Sequence, residues 1–275
     1  MGGGDARVAG LDVGSIEELN ELPDAVREAL YARLVPPELL MRLGADASGR
    51  GSDSHQLVRV VALPGQPWAR VEVRASPDDR DAVLLLDIAM SAFGVPELTF
   101  VQITDPAAER FGIDRDDEGR DTLFGTVSRN REEEARALAA GLAPGQVRRG
   151  LRMLGRIMGR MEDFCRLLGK ELFLVEPLFY HSALLYERQG CAYLFGQDLM
   201  REIHVEFQPG GRLHAALDGE TVFRQPGLER TARGRSWAIH DGILSVLGDA
   251  PWGGVKMYRQ LGRPAGITSF PDGAY

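Results

Sequence analysis

Residues 144–196 read PGQVRRGLRMLGRIMGRMEDFCRLLGKELFLVEPLFYHSALLYERQGCAYLFG. Leu151, Leu154, Met158, Met161, Cys165 and Leu168 recur three or four apart. That is the period of an apolar helix stripe, so the spacing predicts one long helix from Pro144-Gly145 to near Gly169. Residues 171–175 then read as a strand, 179–189 as a helix closed by Gly190, and 191–195 as a second strand. Helix and strand alternating in this rhythm imply a sheet with parallel pairs.

Upstream, Ser15-Ile16-Glu17-Glu18 is a capping box, and apolar residues at helical spacing run through Leu19, Leu22, Val26, Leu30 and Leu34. Pro36-Pro37 breaks that run, and residues 38–43 fit one more short helix. Residues 45–54 are rich in Gly, Ser and Asp and read as a flexible link. Residues 57–63 and 68–73 flank Pro64-Gly65-Gln66-Pro67, the pattern of a hairpin. The nearly all-apolar 83–90 suits a central strand covered on both faces, and 98–104 reads as another strand. Residues 122–127 read as a weaker strand and 132–142 as a helix. Beyond Gly196, residues 203–207, 213–217 and 221–223 read as a β-meander, 228–247 as a helix and 255–258 as a last strand.

The chain has 275 residues, 44% hydrophobic and 26% charged, enough to bury a core or two modest ones. Its net charge of −8 argues against nucleic acid or an anionic membrane as a partner. No apolar run approaches the roughly 18 residues a spanning helix needs. Met1-Gly2-Gly3-Gly4-Asp5 does not read as a secretory signal, and Ala6 stands where a myristoylation motif wants Ser or Thr. Cys165 and Cys191 are the two cysteines, which suits reduced thiols and a cytoplasmic location.

Arg148, Arg152, Arg156 and Arg160 lie four apart, an arginine stripe in an acidic chain. Like charges at that spacing repel by a few tenths of a kcal/mol per pair, about what a bound anion would relieve. On the predicted helix, Arg148, Arg149 and the amides around Gly150 stand at the N-terminal turn, where free N–H groups and the helix dipole favour a phosphate. The alternative is a solvated arginine face neutralised by Asp114, Asp116, Asp117 and Glu118.

Leu185-Tyr186-Glu187-Arg188-Gln189-Gly190 matches the Leu-Tyr-Glu-x-x-Gly signature of GNAT acyltransferases, with Ser182 at the family's small-residue position. Arg148-Arg149-Gly150-Leu151 resembles the Arg-Gly-x-Gly core of the family's acyl-CoA loop. The resemblance covers residues 147–196 and departs from the family at Val147, Arg152, Phe179 and Cys191. It implies an α/β (α+β) fold: a GNAT-like mixed, partly antiparallel sheet with flanking helices. A helical segment, 1–54, would precede the acyl-CoA-binding domain, 55–198, and a β-rich extension, 199–275, would follow it. It further implies acetyl-CoA or another acyl-CoA as donor substrate and a small-molecule or protein amine as acceptor. Arg148, Arg149, Gly150, Leu151 and Arg152 would hold the diphosphate. Amides on a splayed central strand would polarise the thioester, and Tyr186 would protonate the departing thiolate. The sequence identifies no base. Two other readings stay open. One is a non-catalytic module that binds acyl-CoA or another anion. The other is a metal-dependent enzyme using His204, Glu206 and His214, the first two sharing one face of a strand. The acidic loop Asp114-Arg115-Asp116-Asp117-Glu118-Gly119 reads as solvated rather than calcium-binding, because position 12 is Gly125. A homodimer is a further expectation.

Overall fold

The computed structural model describes residues 13–52, 55–248, 251–271 and 273–274, so the N-terminal pentapeptide and part of the 45–54 link lie outside the described residues. The chain is a mixed α/β protein, and the strands β1 to β5 lie side by side in sequence order. Its residues cluster into two compact units. The first is built from Met1–Pro106, Gly150–Glu176 and Tyr258–Pro264, the second from Ala107–Arg149, Pro177–Met257 and Ala265–Tyr275. No helix among the described residues is long and apolar enough to cross a membrane.

In the first unit the long N-terminal helix of the sequence reading is two short ones, and the short helix expected at 38–43 follows them. Ser15 caps α1 (Ile16–Asn20) by accepting from the Glu18 N–H, while the Glu18 carboxylate accepts from Gly14 N–H. Pro23 cannot continue α1 and instead starts α2 (Asp24–Ala32); Pro37 starts α3 (Pro37–Arg42). Asn20 is fully buried. It donates to the carbonyls of Gln66 and Trp68, and accepts from the Tyr31 hydroxyl at 2.5 Å. This fixes α1 and α2 on the predicted hairpin of β1 (Val58–Val61) and β2 (Trp68–Val73).

β3 (Leu84–Met90) pairs antiparallel with β2 and with β4 (Pro96–Ile103). Its central place is as expected, but it is not covered on both faces. Leu84, Leu86 and Ile88 are fully buried, whereas Leu85 and Asp87 between them are half-buried. The β3–β4 register shifts at Asp87/Ile88, where Asp87 faces Phe100 and Ile88 faces Leu98, so Thr99 is a bulged residue. The long helix is α5 (Leu154–Leu167); it begins about nine residues later than its apolar stripe suggested. It leads to β5 (Leu172–Val175), which runs parallel to β4.

In the second unit, α4 (Arg131–Ala139), α6 (Tyr180–Arg188) and β6 (Ala192–Phe195) fall where the sequence placed them. Two segments do not. Residues 122–127 form a left-handed turn, with φ of 48° at Leu123, 58° at Phe124 and 84° at Gly125. The predicted meander is helical: α7 (Gln197–Glu206), α8 (Arg212–Ala215) and a 3-10 turn at Val222–Arg224. Ile203 and Phe207 are fully buried, but Val205 between them is 63% exposed, so the period is four residues and not two. α9 (Ala232–His240) is the helix around which this unit's core packs. Trp237 lies there with Phe111, Ile113, Val147 and Phe223, its indole N–H bonded to the Leu142 carbonyl. β7 (Lys256–Gln260), where the chain passes from the second unit back to the first, is the predicted last strand.

Candidate functional site

β4 and β5 part early. Only two residue pairs join them, Glu97 with Leu174 and Leu98 with Val175, although β4 continues to Ile103. From Thr99 to Ile103 the β4 edge that faces β5 therefore has no β5 partner, and every one of these five residues is half-buried on whichever face it points to. The bulge at Thr99 turns the strand at the point where the two separate.

The chain entering α5 runs beside the end of β4. Gly150 lies so close that a Cβ there would stand 3.0 Å from the Ile103 carbonyl oxygen. Arg152 has φ 59°, a left-handed conformation that L side chains adopt at a cost. Its side chain is exposed. α5 then opens at Leu154 with no side-chain cap and no acid in its first turn. The first N–H groups of any helix lack acceptors in the helix itself, so this turn presents donors and the positive end of the dipole.

The expectation that Arg148 and Arg149 stand on the first helical turn is corrected. Both lie in the loop that precedes α5. Val147 is the physical reason: its side chain is buried in the second unit's core and its carbonyl accepts from Phe111 N–H, so the backbone there is not free to coil. Arg148 donates through Nη1 to the Ala108 carbonyl, and Arg149 is exposed. The arginine stripe is thus confined to Arg156 and Arg160. Arg156 meets Glu38 at 3.4 Å and Arg160 meets Asp163 at 3.6 Å. The acidic loop is not their counter-charge: Asp114 pairs with Arg110, and Asp116 with Arg120 and its own turn amides.

Tyr186 lies on α6 and is 5% exposed. Burial, with Cys191 beside it, raises the phenol above its ordinary pKa, so it keeps its proton at physiological pH. Cys165 and Cys191 are both buried, and burial pushes the Cys165 thiol up, which makes it inert rather than nucleophilic. His204 and Glu206 stand on helix α7, where residues two apart diverge, and not on a strand. Among the described residues no three His, Cys, Asp or Glu side chains come together as a metal site requires.

The sequence reading passed over Glu97. It is 7% exposed and sits at the last stretch where β4 and β5 remain paired. A carboxylate between Pro96 and Leu98, the one charged residue of the strand, was its visible signal. Compared with protein-family models, with curated proteins and with solved structures, the chain matches none.

Proposed function

We propose that the chain is a GNAT-like N-acyltransferase that moves an acyl group from acetyl-CoA or a longer acyl-CoA to an amine on a small molecule or a protein. The observation that carries this reading is the parting of β4 from β5. It leaves a run of strand amides without a β5 partner, ending at the residue against which Gly150 rests. An extended, amide-bearing arm such as pantetheine suits a strand edge that β5 leaves uncovered. A diphosphate suits Gly150, Leu151, Arg152 and the uncapped start of α5, with Arg149 next in the chain.

In this scheme the amine nitrogen attacks the thioester carbon and the carbon–sulfur bond breaks. Edge amides stabilise the oxyanion. The amine's proton goes to a carboxylate, for which Glu97 is the candidate, and Tyr186 supplies the proton that the thiolate takes up. Transfer from a phenol to a thiolate of pKa near 8.5 is uphill, so Tyr186 acts only if close to the sulfur.

Calorimetric titration with coenzyme A tests the binding half. Arg152→Glu and Gly150→Val should each abolish it, and unchanged affinity would remove the assignment. Thiol release from acetyl-CoA with a panel of amines tests the chemistry, with Glu97→Gln and Tyr186→Phe expected to lower turnover more than binding. A second reading, binding without turnover, is favoured by Arg152 in the place of a glycine. It predicts coenzyme A affinity and no thiol release with any amine.

A further inference from the structure

Arg235, on α9 in the second unit, is 2% exposed and has no carboxylate within ion-pair distance among the described residues. Burying a cation without a counter-charge is among the costliest arrangements a fold can hold. Phe207 covers one side of its guanidinium at 5.0 Å and Phe270 lies over it at 3.7 Å. Nε donates to the backbone carbonyl of Glu229 at 2.7 Å, and Nη1 lies 3.5 Å from His204 Nδ1. The Glu229 carboxylate is turned elsewhere, toward Arg230 and the Gly227 amide.

Tyr180 adds a second orphan. It is fully buried, and its hydroxyl proton has no acceptor, although its oxygen lies within reach of the Arg235 guanidinium. Burial pushes the phenol up to about 12, against the pull of the nearby Arg235 guanidinium. Glu187 is close enough to act on this phenol, but its two oxygens are taken by Tyr193, by Ser269 N–H and by the Ser269 hydroxyl. A cation buried without a carboxylate and a buried hydroxyl whose proton has no acceptor therefore lie side by side.

The segment after Ala265 closes this place. Ala265 donates to the Gly190 carbonyl, Ser269 is held by Glu187, Phe270 lies on Arg235, and the Ala274 carbonyl accepts from Ala232 N–H. The strap does not seat flush: a small cavity runs beside Phe270, between Leu184, Arg188 and the strap residues Gly266–Thr268.

We propose that Arg235 and Tyr180 are an anion-binding site, covered here by the C-terminal strap, that takes a carboxylate carried on an aromatic or apolar body. The rings cover the guanidinium faces, so a ligand reaches its in-plane N–H groups, which fit a carboxylate. A single negative charge desolvates more readily than a phosphate dianion. The place that Phe270 fills suits the ligand's apolar body.

The test uses benzoate as probe, with benzamide as its neutral isostere and inorganic phosphate as the competing anion, in calorimetry on the full chain. Phe270→Ala, which removes the cover, should bind benzoate about ten-fold tighter than the parent, a difference of about 1.4 kcal/mol. Benzamide should not bind. Tyr180→Phe should weaken benzoate about five-fold, the worth of one hydrogen bond. Arg235→Met should abolish it, and if that variant does not fold, Tyr180→Phe decides. No benzoate binding to folded Phe270→Ala would overturn the proposal. So would equal affinity for benzamide or phosphate, or affinity unchanged in Tyr180→Phe.

Discussion

A Cβ on Gly150 would stand 3.0 Å from the carbonyl oxygen of Ile103, so the chain entering α5 meets the end of β4 through backbone alone. That carbonyl belongs to a strand and cannot swing aside as a side-chain tip does. Gly150→Ala should therefore cost about 1 kcal/mol and Gly150→Val about 2 to 3 kcal/mol, as overpacking commonly does. Urea denaturation reads this directly. Equal midpoints for the three proteins would mean that the contact is not made in solution.

Arg152 separates fold from ligand. Its φ of 59° is disfavoured for a residue with a Cβ. Arg152→Gly should raise stability by about 1 kcal/mol through relief of that strain. Under the acyl-CoA reading it should also weaken coenzyme A, because the exposed guanidinium is lost, in proportion to one phosphate contact. A stabilised protein with unchanged affinity would leave Arg152 without a role in binding.

His181 Nδ1 lies 2.9 Å from Ser236 Oγ, both residues buried. Burial first, and then the charges of Arg233 and His240, bring the imidazole pKa down to about 3. The unfolded chain takes up this proton near pH 6.5, the folded chain only near pH 3. Between those values the unfolded state binds more protons, so stability falls as pH falls, by at most about 1.4 kcal/mol per pH unit. The urea midpoint should drop between pH 6.5 and 5, above the range where carboxylates titrate. His181→Asn should flatten that part of the profile. A parent protein with a level profile there would show that His181 is not held neutral.

Much of the fold was legible in local sequence. Pro64-Gly65-Gln66-Pro67 between two β-rich runs gave the hairpin, and Gly190 closed α6 as expected. The failures lie where one pattern serves two structures or where a distant contact decides. Ile203 and Phe207 fit both a strand and a helix, and only the exposure of Val205 separates them. Thr122 to Val127 has β-forming side chains, yet the Thr122 hydroxyl accepts from Gly125 N–H and donates to Ile113, which fixes a left-handed turn. The start of α5 was missed because Val147 is drawn into a core with Phe111 and Trp237, far away in sequence. The parting of β4 from β5 has no local signal.

Asp241 gathers more partners than any single carboxylate described above. Its side chain is 1% exposed and accepts from Arg129 at 2.9 Å, from Arg224 at 3.0 Å and from Thr221 at 3.0 Å. Burial opposes a charge there, but the hydrogen bonds from Arg129 and Thr221 and the charges of Arg129 and Arg224 outweigh it and hold the carboxyl below its ordinary pKa. Glu134 shares Arg129 and meets His240 Nε2 at 2.9 Å, so its own carboxyl is also held down despite burial. Asp241→Asn keeps the shape and removes the charge, leaving Arg129 and Arg224 partly buried with less compensation. Breaking a buried pair in this way typically costs about 3 kcal/mol or more. The variant should lose that much in urea denaturation at pH 7. The gap should narrow below about pH 4, because there the unfolded parent takes up a proton on this carboxyl while the folded protein, its carboxyl held lower, does not. A gap that stays constant with pH would mean that the loss comes from geometry, and that the charge of Asp241 does not stabilise this unit.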